Sequence, residues 1–361
     1  MNVFQKSTYY LSLVFSTLMV YFVFAENPMH LGSIIGYVLV GYILMHLSVK
    51  FKEHKKTMIL MIFLAGLPLV LVKVLAVFKI SGLGFLGISY MTFKLIQIII
   101  EIYDGLIEKP MGPLDYVHFL LFFPALSSGP IDRSRRFLED WKKQRTKDEY
   151  LELAGTGIFR LVLGLFYKLV ISGMVFQQMT SIRYKDFSFF VIYMYLYTAY
   201  LFFDFAGYSL MAVGASNILG IETPMNFNVP FISVDIKDFW NRWHITLSTW
   251  LRDFVFSRIV MRFMRKKIFK KRLTTAMVAY MINMTFMGFW HGITLNYIAY
   301  GFYHGILMAA FEWYQKKSKF YKKNKNKTWY KVISWIITMH LVMFGFLIFS
   351  GKMSEWARKL I

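Results

Sequence analysis

The chain lacks cysteine altogether, which excludes disulfides, thiolate metal sites and a cysteine nucleophile. An acyl group carried by this protein would have to be held by another residue, or by none. The sequence also contains neither the Gly-x-Ser-x-Gly elbow of serine hydrolases nor a Walker phosphate-binding loop. Acidic residues are scarce, at 20 of 361. These absences argue against the common soluble hydrolases and nucleotide-binding enzymes.

Apolar and aromatic side chains are abundant instead, at 57% and 19% of the chain. Many apolar runs approach or exceed the ~18–20 residues that a helix needs to cross a bilayer. Because short polar loops separate these runs, the pattern predicts a polytopic membrane protein and not a large soluble core. The first run, 7–25, resembles a signal peptide, but Ala25-Glu26-Asn27 is a poor cleavage site and further spans follow, so we expect a retained helix.

The formal net charge of +22 invites a nucleic-acid interpretation, but the location of the charge argues against it. Lys and Arg are grouped in short clusters beside the apolar runs, as in 50–56, 133–147, 266–272 and 316–327. This distribution follows the positive-inside rule, and such clusters also attract anionic lipid headgroups. We therefore expect a multi-pass protein of the cell membrane with its N-terminus and basic clusters on the cytoplasmic side.

The spans predict an all-α fold, a polytopic membrane helix bundle in a single domain that covers 1–361. About 9–11 transmembrane helices are expected, with re-entrant and interfacial helices around a central cavity. Segment 115–130 is the re-entrant candidate because Gly129-Pro130 would break a helix, and segment 245–264 is the interfacial one because its arginines recur at helical spacing. The full crossings are expected at 8–25, 30–49, 57–78, 85–103, 154–174, 189–213, 274–289, 297–314 and 329–349.

Two compact polar-aromatic motifs interrupt this apolar chain, DFWNRWH at 238–244 and FWHG at 289–292. An ionisable side chain at membrane depth is costly and tends to be functional. A histidine titrates near neutrality, so it can deprotonate a hydroxyl and return the proton to a thiol leaving group. His291 and His244 therefore suit acyl transfer, and they are the candidate catalytic residues.

The other side chains of the two motifs are candidates for substrate binding. Asn241 or Arg242 could donate to a developing oxyanion, although a contact with lipid headgroups is the plainer interpretation of Arg242. No metal is expected, because the two histidines are not at i,i+4 spacing and no carboxylate neighbours His291. The predicted substrate-binding residues are Asn241, Trp243, Trp290 and Ser128.

These motifs resemble those of the membrane-bound O-acyltransferase family. The family pattern of Trp-x-x-Trp-His, followed after a long gap by an intramembrane histidine, is similar to 240–244 and Trp290-His291. Segments 87–93 and 204–209 are similar to further family blocks, and the resemblance covers residues 85–315. It implies a membrane-bound O-acyltransferase in which His291 is the catalytic histidine and His244 its supporting partner.

Within the family, FPALSSGPIDR at 123–133 is most similar to the branch that D-alanylates teichoic acids in Gram-positive bacteria. Against that branch the N-terminal part is short, as if a first helix were lacking. The resemblance implies no bound cofactor and a donor that is D-alanine held as a thioester on the phosphopantetheine arm of a small acidic carrier protein (DltC). It implies as further partners other D-alanylation proteins such as DltD, the lipid bilayer and a teichoic acid acceptor, and no nucleic acid.

The basic segment 245–267 offers exposed apolar residues within a positive rim, which would attract an acidic carrier. A helix that only anchors to lipid headgroups is the alternative, and both roles are compatible. The predicted docking residues are Val260, Arg262, Phe263 and Arg265.

Two other functions stay open at this point. An O-acetyltransferase acting on polysaccharide or peptidoglycan would share the two-histidine core, and a transporter would use the histidines as a proton relay. Arg272 and His291 are about 28 Å apart along a straight helix, so His291 need not lie near the inner face. Because His244 belongs to the inner side, a segment near one of the two histidines must be broken, tilted or re-entrant if both line one site.

Overall fold

The computed structural model describes residues 3–78, 84–182 and 188–355, with side chains from residue 10 onward. Helices make up the regular structure, and no β-strand occurs within these ranges. The prediction of an all-α membrane protein is therefore confirmed. The α-helices are α1 (Val3–Phe24), α2 (Pro28–Lys50), α3 (Lys55–Val77), α4 (Ile88–Tyr103), α5 (Pro113–Leu121), α6 (Ser134–Trp141), α7 (Lys147–Leu165), α8 (Ser172–Ser181), α9 (Ser188–Ile218), α10 (Ile236–Arg242), α11 (Ile245–Leu251), α12 (Ser257–Arg265), α13 (Arg272–His291), α14 (Leu295–Lys317), α15 (Lys319–Asn324) and α16 (Thr328–Phe349).

Each of the nine expected crossings contains a helix, but the helices differ in length and composition. Five stretches are long and apolar enough to cross a membrane: α2, α3, the continuous Lys147–Ser181, α9 and α16. Among the others, α4 has only 16 residues, and α13 and α14 carry polar side chains such as Asn283 and His304. The predicted number of crossings stays a prediction.

Two predicted helices contain a π-helical turn that the sequence pattern did not indicate. One turn, Phe166–Ile171, joins α7 to α8, and the other, Arg252–Phe256, joins α11 to α12. Lys168 lies in the first turn and forms a 2.5 Å ion pair with Asp204 of α9. A π-turn shifts the phase of the following side chains, and here it presents a cation to an acidic residue inside an apolar helix.

Contacts between Cα atoms divide the chain into two compact units. The first contains Met1–Leu165 and Tyr208–Met225, and the second contains Phe166–Gly207 and Asn226–Ile361. The prediction of a single domain stays a prediction, and the two units are described separately.

In the first unit, the expected re-entrant segment is short and broken. Helix α5 ends at Leu121, and a 3-10 turn at Phe123–Ala125 leads into irregular backbone. A Cβ at Gly129 would lie 2.6 Å from the carbonyl oxygen of Pro124, so this close turn requires glycine. Beyond it, buried Asp132 accepts hydrogen bonds from the backbone N–H of Arg133 (2.7 Å) and from Nε of Arg136 (2.6 Å). The Asp-Arg-x-Arg-Arg motif therefore holds the end of this segment in place.

In the second unit, α13 and α14 form a tight hairpin. A Cβ at Gly288 would lie 2.4 Å from the carbonyl oxygen of Tyr297, and one at Gly301 would lie 2.4 Å from that of Met284. Small residues at such crossings let two helix backbones approach closely. Helix α16 packs against α14. This arrangement sets the end of α13, where His291 lies, against side chains of α14 and α16.

Candidate active site

His244 lies at a sharp break between two short helices. Asp235 caps α10 by accepting hydrogen bonds from the N–H groups of Lys237 and Asp238, both at 2.9 Å. Helix α10 ends at Arg242, and His244 then adopts a left-handed conformation with φ 44° and ψ 53°. This backbone region is unfavourable for a residue with a Cβ, by roughly 1–2 kcal/mol. Surrounding contacts must therefore hold the turn.

An extended segment at 226–228 supplies those contacts. The N–H of Asn228 donates to the carbonyl of Arg242 (3.0 Å), and the N–H of Ile245 donates to the carbonyl of Asn226 (2.9 Å). Phe227 lies between them, forms an isolated β-bridge with Trp243 and packs edge-on to its indole. Hydrogen bonds therefore hold the break in place on both sides of His244. A break of this kind is what we expect near one of the two histidines if both line one site.

The imidazole of His244 is buried in an aromatic environment. Its ring centroid lies 4.7 Å from that of Phe205, in an edge-to-face arrangement. Burial lowers the pKa of His244 to about 3, and the nearby His291 acts in the same direction, so His244 is neutral at physiological pH. No described residue forms a hydrogen bond with its Nε2 atom. That nitrogen is therefore available to a bound group.

His291 is the last residue of α13, an unbroken helix of 20 residues. The following Gly292 has extended backbone and ends the helix. The half-buried imidazole packs against Trp290 at 4.7 Å and Phe349 at 5.1 Å between ring centroids. Tyr300 of α14 also packs against it, with 6.2 Å between ring centroids, so α14 and α16 both contribute side chains around His291.

His244 and His291 line the same cavity, whose volume is about 50 Å³. A cavity of this size has room for only a few water-sized groups, so it suits the reacting atoms of a substrate. Apart from the two histidines the walls are apolar or aromatic, which favours exclusion of water. They are formed by Leu201, Phe205, Trp240, Trp243, Leu247, Tyr300, Phe346 and Phe349.

A second cavity of about 180 Å³ adjoins the first through Trp240, whose side chain lines both. It is more polar than the histidine cavity, and its walls include Lys237, Asn241, Ser248, Thr249, Arg252, Tyr280 and Asn283. No described residue accepts a hydrogen bond from the indole Nε1 of Trp240. A small reacting cavity beside a larger polar one is an arrangement suited to a substrate with a short reactive end on a longer arm.

The predicted substrate-binding residues fall in different places. Trp243 lines the histidine cavity, and Trp290 packs against His291 and lies 6.4 Å from His244 between ring centroids. Asn241 is exposed and lines the second cavity instead. Ser128 lies half-buried in an irregular turn of the first unit, where its neighbour Ser127 shares a 2.6 Å hydrogen bond with Tyr208. The substrate-binding role of all four stays a prediction.

Arg242 forms an ion pair with Asp238, with 2.8 Å between Nε and the carboxylate, and also donates to the carbonyl of Asn228. Its guanidinium therefore braces the turn that carries His244. Arg242 is not among the residues that line the histidine cavity, so an oxyanion role is not supported.

The predicted docking segment has a different exposed face from the one expected. Arg262 and Arg265 are exposed, as predicted, but Val260 and Phe263 are half-buried. The apolar side chains that project most are Met261 and Met264, three residues apart on α12. Helical spacing alone could have identified this methionine pair.

Tyr300 and Phe349 were not identified from the sequence, and both contact His291. They lie in apolar helices without a distinguishing motif, so no local signal was available. His304, thirteen residues after His291 in the sequence, packs edge-on against Trp240. No group of three or more His, Asp or Glu side chains within the described ranges could hold a metal ion.

Residues 104–353 match the family model of the membrane-bound O-acyltransferases. The chain is 46% identical to the teichoic acid D-alanyltransferase of Bacillus subtilis strain 168 over 274 residues, which are 75% of this chain and 69% of that protein. It is 43% identical to that of Streptococcus thermophilus over 331 residues (85% and 79%). It is 37% identical to that of Lacticaseibacillus rhamnosus over 367 residues (95% and 90%).

Proposed function

The chain belongs to the membrane-bound O-acyltransferase family and is a multi-pass membrane enzyme, and on this basis we propose that it transfers D-alanine to teichoic acid in a Gram-positive bacterium. Its similarity to three teichoic acid D-alanyltransferases supports this choice of substrate. The observation that carries the mechanism is the cavity that His244 and His291 line together, with otherwise apolar or aromatic walls.

In the proposed reaction, His291 is the general base. It takes the proton of an acceptor hydroxyl while the hydroxyl oxygen attacks the carbonyl carbon of a D-alanyl thioester. The tetrahedral intermediate collapses, the C–S bond breaks, and the proton passes from His291 to the departing thiolate. One ester bond replaces one thioester bond, and no external oxidant or reductant is needed. A histidine suits both transfers because its pKa ordinarily lies near neutrality.

His244 has the complementary role of polarising the carbonyl. A neutral imidazole with an N–H directed at the reacting oxygen stabilises a developing oxyanion without adding a mobile proton to the site. Burial keeps His244 neutral, and its Nε2 has no hydrogen-bond partner among the described residues. The left-handed turn at 244 orients the ring, which makes Asp235 and the 226–228 segment positioning elements for this nitrogen.

The donor is proposed to be D-alanine on the phosphopantetheine arm of an acidic carrier protein of the DltC type. The cavity of about 180 Å³ beside Trp240 is where we place the arm, since its polar walls fit the amide groups of such an arm. Asn241 and Asn283 line that cavity and offer amides for hydrogen bonds. In this arrangement Asn241 binds the donor and does not contact the oxyanion.

The carrier itself is proposed to dock on α12. Its acidic surface would be attracted by exposed Arg262 and Arg265, and the projecting methionines Met261 and Met264 would supply apolar anchors. Helix α12 follows directly on the segment 245–256 that forms one wall of the second cavity. Docking there would bring the base of the arm to the entrance of its binding cavity.

The orientation follows from the basic clusters, which are proposed to face the cytoplasm together with the carrier. The acceptor would then reach His291 from the opposite side of the membrane. Other D-alanylation proteins such as DltD are the proposed partners on that acceptor side.

The test is a reconstituted assay in vesicles with purified carrier, loaded with either D-alanine or acetate, and a teichoic acid acceptor. The expected result is rapid transfer of D-alanine and at least tenfold slower transfer of acetate. An exposed-histidine variant, His54→Ala, is the matched control and should behave as wild type. Equal or faster acetyl transfer, or transport of label without ester formation, would contradict the proposal.

A further inference from the structure

A cavity of about 490 Å³ lies among α14, α15 and α16 and shares no lining residue with the two cavities of the active site. Its volume falls within the ~300–1,000 Å³ range of small-ligand sites. The walls are almost entirely apolar and include Leu307, Phe311, Ile333, Ile337 and Leu341. Neither the family match nor the acyl-transfer mechanism assigns this cavity a role.

The cavity is a groove with one open side. Ile333 and Ile337 line it and are 50% and 54% exposed, on a helix that is long and apolar enough to span a membrane. The polar side chains in its wall already form hydrogen bonds. Ser334 and Thr338 both donate to the carbonyl of Val234 (2.6 and 3.3 Å), and the hydroxyl of Tyr330 donates to that of Tyr314 (3.4 Å). The wall of the groove therefore needs no hydrogen bond from an occupant, which favours a hydrocarbon chain.

One end of the groove is closely bordered by positive charge. Phe320 and Trp329 line this end, with 6.0 Å between their ring centroids, and the stretch around them carries seven lysines between Lys316 and Lys327 and no acidic residue. All seven are exposed, and none forms a salt bridge with any residue that the structure describes. Aromatic side chains beside lysines at the end of a span are typical of the headgroup region of a bilayer.

We propose that this groove is a binding site for an anionic glycerophospholipid. One acyl chain would lie along α16 in the groove, and the phosphate would contact the lysines at its end, with Lys319 and Lys322 nearest because Phe320 between them lines the groove. From Trp329 to Leu341 is about 18 Å along the helix, enough for most of an acyl chain. Charge complementarity selects the headgroup, since a zwitterionic lipid would leave the lysine cluster unneutralised.

This inference goes beyond the proposed acyl transfer, but it has a consequence for the same unit. Helices α14 and α16, which form the walls of the groove, also carry Tyr300 and Phe349 of the histidine cavity. A lipid wedged between them would brace those two helices. Binding can be measured without any acyl donor, so its failure and a failure of the proposed reaction are distinguishable.

The experiment uses the purified full chain in neutral detergent with brominated-acyl phosphatidylglycerol or brominated-acyl phosphatidylcholine. Bromine quenches nearby tryptophan fluorescence, and subtracting the signal of the Trp329→Phe variant isolates Trp329. We expect saturable quenching by phosphatidylglycerol at about tenfold lower concentration than by phosphatidylcholine, with the difference reduced at high salt.

Two variants separate headgroup from chain. The double variant Lys319→Glu/Lys322→Glu should weaken phosphatidylglycerol binding about tenfold, whereas Lys52→Glu/Lys56→Glu, in the exposed basic stretch 50–56 of the first unit, should not. Ala310→Phe narrows the groove and should weaken quenching by both lipids. Equal affinity for the two lipids, or no effect of the Lys319 and Lys322 changes, would overturn the proposal. The proposal would also be overturned if inorganic phosphate displaced the lipid and Ala310→Phe left the quenching unchanged. The lysines would then bind a soluble anion.

Discussion

The indole of Trp240 stands edge-on to the imidazole of His304, with 5.2 Å between ring centroids and an interplanar angle of 86°. His304 is fully buried, and Trp240 lines both the histidine cavity and the larger polar cavity beside it. One tryptophan, held from behind by a histidine, thus forms the wall shared by the two cavities. The proposed reaction depends on whether this side chain keeps water away from the histidine cavity.

Removing the Trp240 side chain should therefore join the two cavities. In Trp240→Ala we expect transfer to fall and hydrolysis to rise, because water then reaches the thioester before the acceptor does. The ratio of free D-alanine to ester-bound D-alanine should increase several-fold. The same truncation at Trp313, which is exposed on α14, is the control and should leave the ratio unchanged. A Trp240→Ala protein that folds and keeps the wild-type ratio would show that this wall is unimportant.

The contact between His304 and Trp240 can be tested at Gly345. A Cβ at this position would lie 2.4 Å from Nε2 of His304, so Gly345→Ala should push the imidazole toward Trp240 and destabilise the fold by about 1–3 kcal/mol. The measurement is the midpoint of thermal unfolding in detergent. Adding His304→Ala should relieve part of that loss in a double-mutant cycle. Gly36→Ala, which meets nothing within 4 Å, is the matched control; equal losses at both glycines would refute the steric explanation.

His244 gives a pH dependence of stability with a defined sign. Its pKa is about 3 in the folded protein and ordinarily about 6.5 in an unfolded chain, so between these pH values the unfolded chain binds a proton that the folded protein does not. The free energy of unfolding should then fall as the pH falls from 6.5, by at most about 1.4 kcal/mol per pH unit from this residue. In His244→Asn this contribution is absent, so the variant should lose less stability between pH 7 and pH 5. Parallel denaturation profiles for the two proteins would contradict a buried neutral His244.

Carrier docking on α12 predicts an effect that depends on salt. In Arg262→Glu/Arg265→Glu the apparent KM for the loaded carrier should rise at least tenfold at low ionic strength and less at high ionic strength, because screening weakens the attraction in the wild type. Met261→Ala/Met264→Ala should raise KM with little dependence on salt. Charge reversal at Lys52 and Lys56 tests whether any loss of positive charge has the same effect. If it does, α12 is not a specific docking surface.

The two Trp-His motifs could be assigned from the sequence because polar residues are rare in an apolar chain and stand out. Their partners could not. Tyr300 and Phe349 reach His291 only because glycines bring α13 and α14 together and α16 packs behind them, and none of this is encoded next to the histidine. Tertiary contacts of this kind decide which apolar residue becomes part of a site.

Asn241 shows the limit of reasoning from adjacency within a motif. It is three residues from His244, but helix α10 turns its side chain to the second cavity, and the break at His244 changes the direction of the chain. Helical phase similarly distinguishes half-buried Val260 and Phe263 from projecting Met261 and Met264. His118 is buried and shares a 2.8 Å hydrogen bond with Ser12, a residue more than a hundred positions away in the sequence. In each of these places the sequence indicates the type of residue, but not the direction in which its side chain points.

The assignment of His291 as the general base is the central claim, and a single-turnover assay with D-alanyl-carrier and acceptor tests it most directly. With His291→Ala the transfer rate should fall by ~10²–10⁴, while binding of the loaded carrier stays at the wild-type level. With His244→Ala the fall should be smaller, on the order of 10²–10³, since an oxyanion donor is lost and the base remains. Transfer by a folded His291→Ala protein at near the wild-type rate would contradict the mechanism.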